Sequence, residues 1–221
     1  MQDKIDAAVT AYRKYFDEFK DVKKVIAFTG GKDSTVLLEL AKMAFGSVPC
    51  DVFYIDSGLD HKETVDFIEE ARQHWGFNLV KEVHKETLDH YHTLESQVVK
   101  RMVSRMLKIE TIKQTIKKHD YGLMVVGIRH DEHEARSHET VLSKREDHVR
   151  LHPILDFTEK DIWNFIHKYN VPHNPLYKQG YRSLGEEEFT EKVADPNAPE
   201  RAGREPDKEK LMKRLRELGY F

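Results

Sequence analysis

Thiols are almost absent from this sequence, in which Cys50 is the single cysteine. One thiol cannot form a disulfide within the chain, and it cannot supply a zinc or iron–sulfur site that needs several cysteines. So little cysteine is typical of proteins from a reducing compartment, and we expect a cytoplasmic protein. Residues 1–6 show no basic segment followed by an apolar run, so we expect no secretory leader.

An excess of one charge and long apolar runs are also missing. Lys and Arg number 36 against 39 Asp and Glu, which gives a formal net charge of −3. The chain therefore lacks an overall basic surface, and we do not expect a nucleic acid partner. No apolar run approaches the roughly 20 residues of a membrane-spanning helix, so no membrane association is expected.

Strand and helix patterns alternate along the first part of the chain. An amphipathic helix is predicted over residues 3–19, and a long helix over 96–118 is predicted to turn Met102 and Met106 inward. Short apolar strands are predicted over residues 24–28, 50–55, 77–83 and 122–127. Because such strands are apolar on both faces, the pattern predicts an α/β fold with a doubly wound, mostly parallel sheet and helices on both faces, Rossmann-like in architecture.

The clearest functional signal is the turn between the first predicted strand and the helix that follows it. Its residues are Thr29, Gly30, Gly31, Lys32, Asp33, Ser34 and Thr35. The two glycines leave the backbone bare, so several N–H groups and the positive end of the helix can converge on one anion. The ammonium group of Lys32 and the hydroxyl groups strengthen this site, which suits a pyrophosphate group. A plain strand-to-helix turn, the simpler alternative, needs neither the lysine nor the hydroxyl groups.

This turn differs from two common nucleotide-binding motifs. The kinase-type phosphate loop has a glycine five residues before the glycine that precedes its lysine, and Ser or Thr directly after the lysine. Ile26 and Asp33 occupy those two positions here. The Gly-x-Gly-x-x-Gly pattern of dinucleotide-binding proteins is absent as well.

These signals divide the chain into two predicted parts. Residues 1–165 are expected to form a nucleotide-binding α/β domain with its N-terminal helix. Residues 166–221 are expected to form a C-terminal extension that packs on the site or on a partner. Thr158 and Asp161 are typical of a capped helix start near the boundary. The stretch 180–206 is rich in Gly, Pro and acidic residues, and we expect an ordered loop or a segment that depends on a partner.

The glycine turn closely resembles the Ser-Gly-Gly-Lys-Asp-Ser loop of the N-type ATP pyrophosphatases. Within these, the chain resembles the phosphoadenylylsulfate (PAPS) reductase group, which includes the small catalytic subunits of bacterial sulfate adenylyltransferases. The other stretches that agree are 55–58 with Glu63 and Thr64, 127–132 with Arg136, 150–163, 174–177, 180–185, 200–204 and 218–221. The last two stretches are like the tail of the adenylyltransferase subunits. The resemblance therefore covers nearly the whole chain.

The resemblance implies an adenine nucleotide alpha hydrolase-like fold and an enzyme that opens the bond between the α- and β-phosphates of ATP. It implies nucleotidyl transfer of the sulfate adenylyltransferase type, in which ATP and sulfate give adenylyl sulfate and pyrophosphate. ATP and Mg²⁺ are the implied cofactors. A GTPase subunit is the implied partner, and we expect a heteromeric or homo-oligomeric protein.

Catalytic roles follow from charge and from the matched positions. Lys32 and the amides of the turn are expected to hold the β- and γ-phosphates and to stabilise pyrophosphate as it leaves. Arg129 and Arg136 suit an anionic second substrate, because a guanidinium group pairs well with sulfate or phosphate. An ion-pair network with the neighbouring acidic residues is the alternative for both arginines.

Further nucleotide-binding residues are expected at the ends of two strands. Asp56, Ser57 and Gly58 follow the second predicted strand, at the sheet edge where α/β proteins bind ligands, and the resemblance implies that they lie near the adenosine. Gly127 begins the matched arginine-bearing stretch and is also a candidate. Asp33 and Asp56 are the candidate magnesium ligands, although Asp33 equally suits a helix-capping role.

Two departures from the family pattern bear on the activity. Glu186, Glu187 and Glu188 stand where the family often has a cysteine, and no cysteine follows Cys50. A thiol-dependent reductase needs such a nucleophile, so reductase activity is not expected. The alternatives left open are another acceptor, FMN or tRNA, a PAPS reductase homologue that binds sulfonucleotides without reducing them, and a nucleotide-sensing subunit without catalysis.

Overall fold

The computed structural model describes residues 1–195 and 197–204 of the chain. Its helices are α1 (Gln2–Glu18), α2 (Lys32–Phe45), α3 (Lys62–Trp75), α4 (Lys85–His92), α5 (Gln97–His119) and α6 (Glu159–Lys168). Its strands are β1 (Lys23–Ala27), β2 (Asp51–Ile55), β3 (Leu79–Glu82), β4 (Tyr121–Val125), β5 (Leu142–Lys144) and β6 (Val149–Leu151). The first four strands lie close to their predicted positions.

The strands of the described residues form one sheet in the order β3-β2-β1-β4-β6-β5. Neighbouring strands are parallel except β5 and β6, which are antiparallel. The chain winds outward from β1 to β3 and then returns to place β4 on the other side of β1. The strand order therefore reverses between β1 and β4, and the predicted Rossmann-like α/β fold is confirmed.

Residues of the central strands alternate between two apolar layers, as a pleated strand requires. Ile26 and Val52 face a core that is built with α1, α2, α3 and α6. Val25 and Phe53 face a smaller core that is built with α5. Helices therefore cover both faces of the sheet, as predicted.

The predicted inward face of α5 is correct in the second half of the helix and wrong in the first. The isoleucines of the second half are buried, but Met102 and Met106 are 58% and 44% exposed. In the first half, Ser104 and Lys108 turn to the carboxylate of Glu186 at 2.7 Å and 2.5 Å. In this half the side that carries Ser104 and Lys108 meets the protein through Glu186. The side that carries Met102 and Met106 therefore faces solvent.

Two short strands were not predicted. β5 and β6 have three residues each, and they lie in a part of the sequence where the apolar pattern weakens. β6 also places Arg150 in the interior, where it is 1% exposed. A strand this short that buries a guanidinium group leaves no apolar periodicity in the sequence.

Helix α6 begins at the predicted cap and continues past the predicted domain division. The hydroxyl of Thr158 accepts a hydrogen bond from the amide of Asp161 at 3.2 Å, and the carboxylate of Asp161 accepts one from the amide of Thr158 at 3.0 Å. These reciprocal bonds form a capping box. The helix spans position 165, and the division into residues 1–165 and 166–221 stays a prediction.

The cap provides a test of local stability. Thr158→Ala removes the accepting hydroxyl, and we expect the free energy of unfolding to fall by about 1 kcal/mol. Urea denaturation followed by circular dichroism measures the change. The control is Thr10→Ala on the exposed side of α1, which should cost no stability because alanine favours helix. Equal losses in the two variants would argue against the cap.

Beyond α6 the described chain runs across the carboxyl edge of the sheet. An isolated bridge between Asp60 and Glu186 holds this segment against the loop after β2. A second bridge, between Thr190 and Arg204, joins two parts of the segment to each other. The matched stretch 218–221 lies outside the described residues. Among the residues that the structure describes, no helix combines the length and apolarity needed to cross a membrane.

Candidate active site

The loops after β1 and β4 lie side by side at the carboxyl edge, because these strands are neighbours across the reversal of strand order. Gly127, in the loop after β4, comes very close to the glycine turn. A Cβ atom at Gly127 would lie 3.2 Å from backbone atoms of Asp33 and Ser34. Because Gly127 has no side chain, the backbones of the two loops can pack directly against each other.

The glycine turn after β1 has the backbone geometry of an anion site. Gly30 has a φ of +69°, in the left-handed region that favours glycine, and Gly31 is the N-cap of α2. The amide of Thr35 donates to the carbonyl of Gly31 at 3.0 Å. The amides of positions 32–34 precede this first helical bond and lie at the positive end of the helix dipole.

The hydroxyl groups of the turn fix its shape. Ser34 Oγ donates to the carbonyl of Gly31 at 2.9 Å, and Thr35 Oγ1 donates to the same oxygen at 3.0 Å. The amide of Thr29 donates to Ser34 Oγ at 3.2 Å. The turn is therefore held in one conformation by its own side chains, which favours tight binding of a ligand of fixed shape.

A cavity of about 240 Å³ opens in front of this turn. Apolar side chains line part of it, among them Ala27, Phe53, Ile55, Ile112, Met124 and Val126. Six cationic side chains and three carboxylates also line it, namely Lys32, Lys108, Arg136, Arg150, Arg201 and Arg204 with Asp33, Asp60 and Glu132. The lining therefore combines apolar surface with charged groups among which cations outnumber carboxylates.

Lys32 is 2% exposed, and its ammonium group has three partners. The carboxylate of Glu200 binds it closely, Asp33 Oδ2 lies 3.3 Å away, and the carbonyl oxygen of Arg182 accepts at 3.4 Å. Two of these contacts, to Glu200 and to the carbonyl of Arg182, are hydrogen bonds, and the contact with Asp33 is an ion pair. The Lys32 amide also donates to the hydroxyl of Tyr177 at 2.8 Å.

Arg129 does not line the cavity, but it binds the same carboxylates as Lys32, those of Asp33 and Glu200. It is fully buried, with its Nε donating to Asp131 Oδ1 at 2.9 Å and its terminal nitrogens bound to Asp33 and Glu200. Burial lowers the pKa of Arg129, but the surrounding carboxylates, with Glu200 foremost, raise it above its ordinary value. Lys32 and Arg129 therefore share two carboxylates.

Glu132 organises a second cluster beside the first. Its carboxylate binds Arg136 closely and accepts from Arg201 Nη1 at 2.6 Å. Burial alone would raise the pKa of Glu132, but the charges of Arg136 and Arg201 outweigh it and lower the pKa to about 2. This buried carboxylate is therefore ionised throughout the physiological range.

The structure brings most of the predicted site residues together at the cavity. Those that line it are Thr29, Gly31, Lys32, Asp33, Ser34, Ser57, Gly127 and Arg136. Those outside its lining are Gly30, Thr35, Asp56, Gly58 and Arg129. Thr35 lies fully buried beneath the turn, and Asp56 is exposed. The catalytic and binding roles assigned to these residues stay predictions.

The predicted magnesium ligands are Asp33 and Asp56. Magnesium at nucleotide sites is held by one or two carboxylates together with phosphate oxygens and waters. Asp33 fits that chemistry, because its carboxylate lines the cavity beside Lys32, where it also pairs with Arg129. Within the described residues no group of three or more His, Cys, Asp and Glu is arranged to hold a metal. A magnesium ion at Asp33 would therefore depend on oxygens of a bound phosphate.

Sequence reasoning missed residues that the C-terminal part of the chain brings to the site. They are Tyr177, Arg182, Glu200, Arg201 and Arg204. Tyr177 and Glu200 stand 145 and 168 residues from Lys32 in the sequence, so local spacing gives no sign of their contacts. All of these residues fall in stretches that resemble the family, and that resemblance was the available signal.

The single cysteine lies at the opposite edge of the sheet. Cys50 directly precedes β2, whereas the cavity lies at the carboxyl ends of the strands. Burial and the neighbouring Asp51 carboxylate raise the pKa of Cys50 to about 12. Its thiol is therefore protonated at neutral pH, and it does not line the cavity.

Comparisons with known proteins identify the family and the relatives of this chain. Residues 23–192 match the phosphoadenosine phosphosulfate reductase domain family. The chain is 29% identical over 245 residues to sulfate adenylyltransferase subunit 2 of Shewanella amazonensis, with 97% of this chain and 78% of that protein covered. It is 27% identical over 231 residues to the protein of the same name from Shewanella baltica, covering 89% and 74% of the two chains.

Solved structures agree at the level of the fold. FMN adenylyltransferase of Candida glabrata, in complex with FMN and the ATP analogue AMPCPP, superposes with a TM-score of 0.69 at 22% identity, over 89% of this chain and 68% of that one. PAPS reductase of Candida auris, as a phosphate complex, gives a TM-score of 0.68 at 16% identity over 85% and 90%. The family match spans well over half of the sequence, and the protein therefore belongs to the phosphoadenosine phosphosulfate reductase domain family.

Proposed function

We propose that this protein is a nucleotidyltransferase that binds ATP in the cavity and transfers its adenylyl group to sulfate, releasing pyrophosphate. The observation that carries the proposal is the buried ammonium group of Lys32 at the N-terminus of α2, in a cavity lined by both cationic and apolar side chains. Relatives named sulfate adenylyltransferase subunit 2 support the same activity.

The two kinds of lining suit the two ends of ATP. The apolar residues, with Phe53 and Met124, offer surfaces on which an adenine ring packs. The start of α2 offers the Lys32 ammonium group and the amides of positions 33 and 34 to the β- and γ-phosphates. In this orientation the α-phosphate lies between the adenosine and the glycine turn.

The proposed reaction is a displacement at the α-phosphorus. A sulfate oxygen forms a bond to that phosphorus, the bond to the oxygen that bridges to the β-phosphorus breaks, and its electron pair leaves with pyrophosphate. Lys32 and the amides of the turn stabilise the charge that builds on this leaving group. Arg136, which lines the cavity, is the proposed sulfate contact, because guanidinium binds tetrahedral oxyanions through paired hydrogen bonds. Magnesium, when bound at Asp33, supplies further neutralisation of the phosphates.

The proposal includes a partner. Adenylyl sulfate contains a mixed anhydride, so its formation from ATP and sulfate is unfavourable and gains from coupling to a second reaction. A GTPase subunit is the proposed source of that coupling, in a heteromeric or homo-oligomeric assembly. The designation subunit 2 of the relatives supports such an assembly.

Pyrophosphate release from ATP, measured with and without sulfate, tests the function. We expect release to depend on sulfate, and mass spectrometry to detect adenylyl sulfate, most strongly when a GTPase subunit and GTP are supplied. Arg136→Gln should raise the KM for sulfate, whereas Arg72→Gln, on the solvent side of α3, should leave it unchanged. FMN and tRNA replace sulfate in parallel reactions, since dependence on either would identify another acceptor.

The same assay separates catalysis from nucleotide sensing. Tight ATP binding without turnover in any of these reactions would favour a nucleotide-sensing subunit. An absence of sulfate-dependent release in the presence of the partner would contradict the proposed function.

A further inference from the structure

The carboxylate of Glu200 lies against the two cations that face the glycine turn. One of its oxygens binds Lys32 Nζ and the other binds Arg129 Nη2, and its side chain is 10% exposed. It is therefore a nearly buried anion at the N-terminus of α2. This is the position that the proposed function gives to the β- and γ-phosphates.

Several contacts hold the segment 197–204 in this place. Arg182 donates to the carbonyl of Ala198, and the carbonyl of Gly203 accepts from the amide of Glu191 at 2.9 Å. A Cβ atom at Gly203 would lie 2.2 Å from the carbonyl oxygen of Glu191. The absence of a side chain at Gly203 is therefore required for the segment to close on the preceding loop.

We propose that Glu200 is a selectivity residue that occupies the phosphate subsite until a polyphosphate displaces it. The donors of Lys32 give the first reason. Its ammonium group donates to Glu200 and to the carbonyl of Arg182, and it also forms an ion pair with Asp33. Glu200 makes the shortest of these contacts, so a phosphate oxygen can take the same place beside the ammonium group only when Glu200 leaves.

Charge decides which partner leaves. Glu200 and a phosphate group are both anions, and two anions at contact distance in a buried site repel strongly. Asp33 belongs to α2 itself and cannot move far, whereas Glu200 is carried by a segment that lies outside the regular elements. Displacement of Glu200 therefore releases one donor of Lys32 and one of Arg129, while Asp33 stays paired with both cations.

The proposed reaction uses ATP and sulfate, and the selectivity of Glu200 concerns these two anions. This part of the inference rests on the proposed function. Sulfate has the shape of a terminal phosphate, so an open subsite at Lys32 would accept it and exclude ATP. A single sulfate brings less charge than a polyphosphate chain and makes fewer contacts with the turn. Glu200 therefore keeps sulfate out of the phosphate subsite while a polyphosphate enters it.

The test compares Glu200→Gln with the matched control Glu191→Gln, in which an exposed carboxylate of the preceding loop loses the same charge. Inorganic pyrophosphate is titrated into the wild type and both variants by calorimetry. Loss of one competing charged partner is expected to tighten pyrophosphate binding in Glu200→Gln at least about tenfold. Glu191→Gln should match the wild type. Sulfate should compete with pyrophosphate in Glu200→Gln but not in the wild type.

Hydrogen exchange provides a second readout in the wild type. Pyrophosphate should speed exchange at the amides of Ala202 and Arg204, which donate within the segment at 2.9 Å each. Slower exchange there would overturn the proposal, because the segment would then hold the ligand in place. Equal or weaker pyrophosphate binding by Glu200→Gln would also overturn it, because Glu200 would then not compete with the ligand. Failure of every variant to bind pyrophosphate would overturn it too. Formation of adenylyl sulfate is scored separately, so a wrong acceptor leaves the pyrophosphate result intact.

Discussion

Lys32→Ala is expected to lower ATP-dependent turnover by about 100- to 1000-fold, the effect of removing one preorganised donor from a developing oxyanion. Lys32 is 2% exposed and lines the cavity, so its charge is only weakly screened by solvent. The amides of the turn remain in the variant, so nucleotide binding should weaken less than turnover. Pyrophosphate release gives kcat, and calorimetry with a non-hydrolysable ATP analogue gives Kd.

Two further variants sharpen this prediction. Lys42→Ala removes a lysine that lies on the solvent side of the same helix, 44% exposed, and should leave both constants unchanged. Lys32→Arg keeps the charge but not the compact shape of the ammonium group, and should restore binding better than turnover. Unchanged turnover in Lys32→Ala would remove the basis of the proposed function.

Glu132→Gln is expected to lower the free energy of unfolding by roughly 3 kcal/mol, because it removes the carboxylate of a buried ion-pair cluster. Glu132 joins Arg136 to Arg201, and thus ties the loop after β4 to the C-terminal segment. The neutral amide keeps the shape but cannot balance two buried guanidinium groups. Urea denaturation at pH 7 measures the loss, with the exposed Glu134→Gln as control.

The pH dependence of stability offers an independent check. The pKa of Glu132 is about 2 in the folded protein and ordinarily 4.5. A lowered pKa means that the folded state favours the ionised form, so this stabilisation is fully present above pH 4.5 and is lost as the pH falls toward 2. Glu132→Gln should flatten the fall in unfolding free energy over this window. A fall as steep as in the wild type would show that other carboxylates cause it.

The sequence was sufficient for the elements that carry their own local signal. The glycine turn, the first four strands and the cap at Thr158 each depend on residues within a few positions of one another, and the structure places them as predicted. Met102 and Met106 were misplaced because helical periodicity shows which residues share a face, but not how far along the helix that face meets the core.

The rest of the site depends on contacts between distant parts of the chain. Glu200 meets Lys32 across 168 positions, and no local pattern distinguishes it from the other acidic residues of its segment. Arg129 and Arg136 were found by charge and resemblance, but only the structure shows that each is paired with a carboxylate. The alternative of an ion-pair network therefore describes part of what these arginines do.

The chemistry of Cys50 has a practical consequence. A thiol whose pKa is raised to about 12 reacts slowly with alkylating reagents at neutral pH, since only the thiolate is nucleophilic. The protein is therefore close to a cysteine-free background for labelling. A single cysteine placed at the exposed Asp195, by Asp195→Cys, would carry one fluorophore close in sequence to the segment that bears Glu200. Opening of that segment could then be followed in real time as polyphosphate binds.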